Sequence, residues 1–365
     1  MSHRARRNVT CLIAAGLLVS LGACSSSSSS TAGTAGTQSA PASSAPASGS
    51  ATAAAAGSYG CPAAKGKLAG FSEPIADPNF AAIQSILTKA LAQYGVTLKS
   101  LNANLSPPKQ ISDINTMLSQ GIKVLIVNPV DPQATEAVLG QVRAKNIPIV
   151  ALDTKIGGPY LSTVHDDMEY AGAEGARTLK QLVGNGSVGE IAGPPFAEVL
   201  TWERQAFEAE AKQIGLHIIA VGVNQQLSPP GGAQIAAAWK VKYGSAMKGI
   251  WATSDSTAIG VVSTKSGSFA PQIVSINGQP EALPLVSAGK INTTFGVPYD
   301  KTAQALAWSA LRALCGKSAP PVIYIPTIKL NATNVSSWEP IASRLNNPFQ
   351  ISFEQKNGQT YVKYP

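Results

Sequence analysis

The sequence predicts an α/β protein of two Rossmann-like lobes, each a mainly parallel sheet covered by helices. Three observations carry this. Strand-like and helix-like segments alternate along most of the chain. Several strands, such as KVLIVN (123–128) and IPIVALD (147–153), are unbroken aliphatic runs, the pattern of a parallel strand buried on both faces. About ten such strands are too many for one compact unit, and 365 residues suffice for two domains at about 150 residues each.

Taken in order, a strand over 67–72 is followed by a helix over 78–94, with Phe80, Ile83, Leu87 and Leu91 on one face and Gly95 as the stop. A strand at 97–102, a helix at 107–120 opened by prolines and the strand at 123–128 come next. Then follow a helix at 132–146, the strand at 147–153, a helix at 168–183, a strand at 187–192 and a helix at 197–214. The alternation continues with a strand at 217–223, a helix at 232–243, a strand at 249–253, a helix at 256–265 and a strand at 272–277. Segments 281–288 and 291–297 precede a long helix at 301–315 and a strand at 322–330. The tail ISFEQKNGQTYVKYP reads as a hairpin turning at Asn357-Gly358. Helix-length connections between strands imply right-handed parallel crossovers.

The N-terminus reads as an address. Arg4, Arg6 and Arg7 precede an apolar run from Cys11 to Leu21, too short for a stable span, which ends in Leu21-Gly22-Ala23-Cys24. That string resembles a bacterial lipobox, with a signal peptide over 1–23 and Cys24 as the acylated residue. Residues 25–60 are almost entirely Ser, Ala, Thr, Gly and Pro. Such a tether reaches about 30–36 Å root-mean-square. The expected location is therefore the outer face of the cell membrane, through a lipid anchor. Without the leader, 25 basic residues face 20 acidic ones and are scattered, which argues against nucleic acid as a partner. Of the four cysteines, Cys61 and Cys315 remain after Cys11 leaves and Cys24 is acylated; an oxidising compartment favours their pairing. Three histidines and no CxxC or HxxxH spacing leave no expected metal site, and no cofactor is expected.

Polar residues recur at strand ends, where open α/β sheets bind ligands: Ser72-Glu73, Asn128, Asp153, Ser254-Asp255 and Asn277. Carboxylates and amides suit vicinal hydroxyls. Aromatic faces suit the C–H side of a sugar or polyol, and Phe71, Phe80, Trp202, Trp251, Phe295 and Tyr299 lie beside such ends or on the following helices. Polar strand ends also cap helices, as Asp255 would before Ser256, and a Trp within a strand, such as Trp251, is more often core.

Residues 65 to 330 resemble the ribose-type (type I) periplasmic sugar-binding proteins of bacterial ABC importers. The strings that carry this are GFSEPIADPNF, QGIKVLIVNPVDPQATEAVLGQVRAKNIPIVALDT, VHDDMEYAG and VSINGQPEALPLVSAGKINTTFGVPYD. The resemblance implies two lobes joined by three crossings, near 161–165, 295–299 and 327–330, closing on ligand like a hinge. It implies a first lobe of 65–163 and 299–328, a second of 164–298 and 329–365, and a tethered segment of 24–64. The tail is expected on the hinge side. A monomer working with permease and ATPase subunits is implied.

Carried over residue by residue, the ligand set is altered. Asp77-Pro78-Asn79-Phe80 stands for the family's Asn-Pro-Phe-Phe, so Phe80 stays as a stacking ring while Asp77 and Asn79 depart. Asp153 matches, but Thr154 replaces the Arg that often follows. Asp166 or Asp167 matches the second-lobe Asp. Glu203 holds the place of a clamping Arg, which Arg204 could fill only with a one-residue shift of the helix. Ser254 stands where Asn is common, Asn277 where Asp is, and Val297 where Gln is expected. With Glu73, Trp202 and Asp255 from the strand-end reading, these form the expected ligand set, and a small polyol or modified sugar other than ribose or galactose is the expected ligand.

A sugar-responsive repressor would need a helix-turn-helix where the leader and linker stand. An enzyme is disfavoured by the lack of a GxSxG elbow and of a nucleophile partner for His165 or His217; Gly316-Lys317-Ser318 lacks the upstream glycine of a phosphate loop, Leu311 holding its place. A binding component serving a receptor, for a sugar or a furanosyl signal, keeps the fold and changes the task.

Overall fold

The computed structural model describes residues 59–154 and 160–364; the signal peptide, Cys24 and most of the tether lie outside them. Strand β1 (Leu68–Glu73), α1 (Pro78–Ala92), β2 (Thr97–Asn102), α2 (Pro107–Ser119), β3 (Val124–Val127), α3 (Pro132–Ala144), β4 (Ile149–Leu152) and β5 (Ser162–Asp166) build the first lobe. The second holds α4 (Met168–Val183), β6 (Ser187–Ala192), α5 (Glu198–Gln213), β7 (His217–Val223), α6 (Pro229–Tyr243), β8 (Met247–Ala252), α7 (Asp255–Thr264), β9 (Gln272–Asn277), α8 (Leu283–Ser287) and β10 (Thr293–Gly296). Then α9 (Tyr299–Leu314) and β11 (Val322–Ile325) return to the first lobe and β12 (Ile328–Leu330) to the second. Helix α10 (Ile341–Arg344) and the hairpin β13 (Phe353–Lys356)–β14 (Gln359–Val362) finish on the first.

The first sheet runs β13-β14-β11-β5-β4-β3-β1-β2 and the second β12-β10-β9-β8-β6-β7. All pairings are parallel except β13 with β14 and β10 with β12. Each sheet is covered on both faces, which is why its strands are aliphatic throughout. In the first lobe, α1 and α9 share one core with β1 and β3, while Ile114, Met117, Val138 and Leu139 of α2 and α3 form another on the opposite face. Phe207 of α5 joins the larger core; Ala236 of α6 and Val261 of α7 build a separate one.

Local chemistry sets the helix starts. Asp77, Ser106, Asp131, Asp167, Ser228 and Ser254 each accept a backbone N–H from the first turn, and proline occupies that turn in α1, α2, α3 and α6. Packing of α4 on α5 requires a missing side chain: a Cβ at Gly172 would stand 2.2 Å from the Glu203 carbonyl oxygen.

Several boundaries differ from expectation. The first crossing was expected near 161–165, yet Ser162–Asp166 is a fully buried strand paired with β4 and β11, so the chain leaves the first lobe only after Asp166. STVHD has no aliphatic run to mark it. The single strand expected over 322–330 is two, in different sheets; Pro326, which has no N–H for a ladder, interrupts it. Residues 329–365 do not all belong to the second lobe, because β14 pairs with β11 and α10 packs on α1 and α9. The hairpin does turn at Asn357-Gly358, both at positive φ.

Cys61 and Cys315 are joined, with Cα atoms 5.9 Å apart across 254 residues of sequence. The bond ties the start of the described chain to the end of α9. Replacing both by serine should cost roughly 2–4 kcal/mol. Thermal melts with and without reductant check this: reductant should lower the melting temperature of the natural chain and leave that of the double variant unmoved.

Candidate functional site

The carboxyl ends of both sheets open onto one cavity of about 300 Å³ between the lobes, at the small end of the range for small-molecule sites. The first lobe supplies Asp77, Asn79 and Phe80 from the β1–α1 turn, Asn128 after β3, Asp153 after β4, Asp166 at the end of β5 and Tyr299 from α9. The second lobe supplies Glu198 and Glu203 from α5, Ser254 after β8, Asn277 at the end of β9, and Gln279. Aliphatic side chains such as Ile75, Leu152, Leu200 and Ile276 fill the wall between these groups.

Two of these residues sit in sparsely populated backbone. Asp153 has φ 46° and Asn277 φ 118°, and each is held by its own side chain. The Asp153 carboxylate accepts the Asp166 N–H at 2.8 Å, and Asn277 Nδ2 donates to the Tyr299 hydroxyl at 2.6 Å. Strain held in this way is concentrated at binding sites more than elsewhere. Thr302 Oγ1 donates to Asp166 at 2.8 Å. Burial and the mutual charge of the pair push Asp153 well above the carboxylate range. Burial also lifts Asp166 to about 6, the Thr302 hydroxyl and His165 pulling it back only in part.

Asp77 caps α1 by accepting the Phe80 N–H at 2.8 Å, which fixes the half-buried Phe80 ring beside the cavity. Glu203 is 1% exposed. Its Oε2 accepts the Thr253 hydroxyl at 3.3 Å, while its Oε1 has no hydrogen-bond partner. Burial raises its proton affinity strongly, and Thr253 and the Trp251 indole offset this only in part. Thr154 Oγ1 donates across the cleft to Glu198 at 2.9 Å. Ser254 lines the cavity while capping α7.

Three expected residues lie elsewhere. Glu73 turns to the outer side of the β1–α1 turn and takes the Ser100 hydroxyl. Trp202 faces the hinge, its ring 5.0 Å from that of His165. Asp255 is neither the cap of α7 nor a cavity residue: its buried carboxylate accepts Ser275, Thr294 and the Gln279 N–H, tying β9, β10 and the following turn together. Arg204 does not take the place of Glu203, since it pairs with Glu190 and Glu208. Phe71, Trp251 and Phe295 are core, Trp251 stacking on Phe207 with centroids 5.0 Å apart.

Other lining residues had weaker signals. Asn128 and Tyr299 were visible beside strand ends, whereas Glu198 and Gln279 had no mark beyond their place after a strand. Gln110 had none: from α2 its amide donates to the Asn128 carbonyl at 2.8 Å and accepts the Val130 N–H at 2.7 Å, holding the turn that carries Asn128.

The raised carboxyls set a pH dependence. A folded state that binds protons more tightly than the unfolded chain gains stability as pH falls through the folded pKa, until the unfolded value is reached. Asp166 lifted from 3.8 to about 6 and Glu190 from 4.5 to about 8 place that gain between about pH 8 and pH 4. Each unit is about 1.4 kcal/mol, and each kcal/mol is worth roughly 2–4 °C in domains of about 150–250 residues. Between pH 7.5 and pH 5 Glu190 traverses about 2.5 pH units and Asp166 about 1, roughly 5 kcal/mol together. The melting temperature should therefore be higher by about 10 °C at pH 5 than at pH 7.5 in calorimetry.

Comparison with known proteins agrees with this architecture. The ribose import binding protein of Bacillus subtilis is 25% identical over 139 residues, 38% of this chain and 46% of that protein. The D-galactose/methyl-galactoside binding periplasmic protein of Haemophilus influenzae is 24% identical over 295 residues, 72% of this chain and 88% of its own. Among solved structures, a Caulobacter myo-inositol binding protein bound to myo-inositol superposes with a TM-score of 0.70 at 18% identity, over 76% of this chain and 97% of that one. A Mycobacterium smegmatis protein in complex with β-D-fucofuranose gives 0.67 at 20% identity, over 77% and 98%. Residues 70–318 match the model of the periplasmic binding protein domain, and the chain belongs to that family.

Proposed function

We propose that this protein captures a monosaccharide or small polyol in the cleft between its lobes and delivers it to the permease of an ABC transporter, held to the outer face of the membrane by acylated Cys24. The observation that carries the reading is the cleft itself: carboxyl and amide groups from the strand ends of both lobes, with the Phe80 ring beside them, converge on one small cavity. Carboxylates and amides hold hydroxyls in pairs, and a ring covers the apolar face of a sugar. The names of the relatives, which bind ribose, galactose, myo-inositol or fucofuranose, point the same way.

The binding mechanism follows from the two-sided lining. A ligand that touches Asp77, Asn79, Phe80, Asp153 and Asp166 on one lobe and Glu203, Ser254 and Asn277 on the other gains its full set of contacts only when the lobes approach. It therefore favours the closed arrangement by the difference in affinity between the two states. No bond of the ligand is altered.

A thermal-shift screen against pentoses, hexoses, deoxy sugars and C4–C6 polyols tests the ligand class. One hit at 100 times its dissociation constant should add about 2.7 kcal/mol of stability, and the same ligand should reduce the radius of gyration in small-angle scattering. Silence across the panel would move the reading away from carbohydrates. For the anchor, Cys24→Ser should shift the protein from the membrane fraction to the soluble one, and loss of metabolically incorporated palmitate should accompany the shift.

A further inference from the structure

The charge of the cleft narrows the ligand further. Among the described residues, six acidic side chains line it, three from each lobe: Asp77, Asp153, Asp166, Glu198, Glu203 and Glu281. None of the described lining residues is Lys, Arg or His. Four of the acids already serve the fold. Asp77 caps α1, Asp153 holds the Asp166 N–H, Asp166 takes the Thr302 hydroxyl, and Glu198 takes the Thr154 hydroxyl.

Glu203 differs. It is 1% exposed, its Oε2 has one long bond to Thr253, the Trp251 indole lies near enough to offset part of the burial, and its Oε1 makes no hydrogen bond. An acceptor left open in a buried carboxyl is costly unless something else fills it. The neighbouring Arg204 turns away to Glu190 and Glu208, so the helix that carries Glu203 brings it no cation. An acidic cleft also favours cations over anions before any contact is made.

Resting on the reading of this cleft as a polyol site, we propose that the ligand bears a protonated amine beside its hydroxyls, as an amino sugar, an amino polyol or an aminocyclitol does, with the ammonium against Glu203. A carboxylate–ammonium hydrogen bond is roughly twice as strong as a neutral one, and here it fills the open oxygen. It also gives the described acidic lining a counter-charge. The burial that raises the proton affinity of Glu203 is what such a cation offsets. A neutral polyol could fill the same oxygen with a hydroxyl but would leave the acidic lining without a counter-charge, which is the difference an experiment can read.

Titration calorimetry of the purified full chain with matched pairs makes the test: D-glucosamine against D-glucose, 1-amino-1-deoxy-D-sorbitol against D-sorbitol, and an inosamine against myo-inositol. The expected result is an amine binding about tenfold or more tighter than its hydroxyl counterpart, equivalent to about 1.4 kcal/mol, with Glu203→Gln bringing that ratio near one. Hydroxyl members binding as tightly as the amines, or a ratio that survives Glu203→Gln, overturns the inference and leaves the polyol reading standing. Silence from all six overturns the inference, while the polyol reading is decided by the wider thermal-shift panel. Circular dichroism verifies that the variant folds; should it not, the pairs on the natural chain decide.

Discussion

The junction at Asp166 is the contact on which the two-lobe arrangement turns. Here the chain leaves the first sheet for α4, and the Asp166 N–H is held by the Asp153 carboxylate while its own carboxyl takes the hydroxyl of Thr302. Those two bonds join the end of β4, the end of β5 and the helix that brings the chain back from the second lobe. Every group involved is buried. Burial raises the proton affinity of both carboxyls, and the charge of Asp166 raises that of Asp153 further, so the site favours proton sharing over two full charges. The same residues line the cleft. On the proposed reading, a ligand that touches the Asp153–Asp166 pair acts directly on the crossing.

A second contact of this kind lies opposite. Asn277, at the end of β9, reaches the Tyr299 hydroxyl at the start of α9, one residue past the second crossing. Asp153 and Asn277, two of the four cavity-lining residues at positive φ (the others are Leu105 and Leu227), are thus tied to residues at crossings. Strain of this size, of order 1–3 kcal/mol each, persists only where the surroundings over-determine it. Here the surroundings are the hinge. The C-terminal segment adds a further link: Trp338 donates its indole N–H to the Gly278 carbonyl, and Arg344, stacked over Trp338, pairs with Asp300 of α9.

The sequence made the alternation of strands and helices legible, because aliphatic runs buried on both faces and proline or Asp/Ser starts are local features. Helices α1, α2 and α3 begin where their caps and prolines say. What it could not reveal was partnership across long separations. Strand β5 is polar in composition, and its identity as a strand comes from β4 and β11 on either side. Residues 322–330 read as one strand because the separation of two sheets at Pro326 is a tertiary fact. In the cleft, Asp77, Phe80, Asp153 and Glu203 were legible from strand ends and from the resemblance. Asp255 reads as a ligand residue from its place at a strand end, but a carboxylate there is equally able to bind within its own lobe, and three buried donors claim it. Gln110 lies within α2, remote in sequence from the strand ends it serves, and reaches the Asn128 turn by hydrogen bonds only because α2 packs on the sheet.

The contrast between Asp255 and Glu203 shows how burial separates a structural carboxyl from one open to a ligand. Both are at most 1% exposed and both are raised above the ordinary carboxylate range by desolvation. Asp255 is surrounded by donors on β9, β10 and the turn after β9, so its acceptor sites are filled by the fold. Glu203 has Gly172 against its own backbone, which lets α5 sit close to α4 and leaves the side chain directed to the cavity with one oxygen unfilled. A fold that needed only a packed wall at that position would be better served by an apolar residue, since an unmatched buried acid lowers stability. On the proposed reading the acid is worth keeping because a ligand supplies what the fold does not, while the close approach at Gly172 sets how near α5 lies to α4.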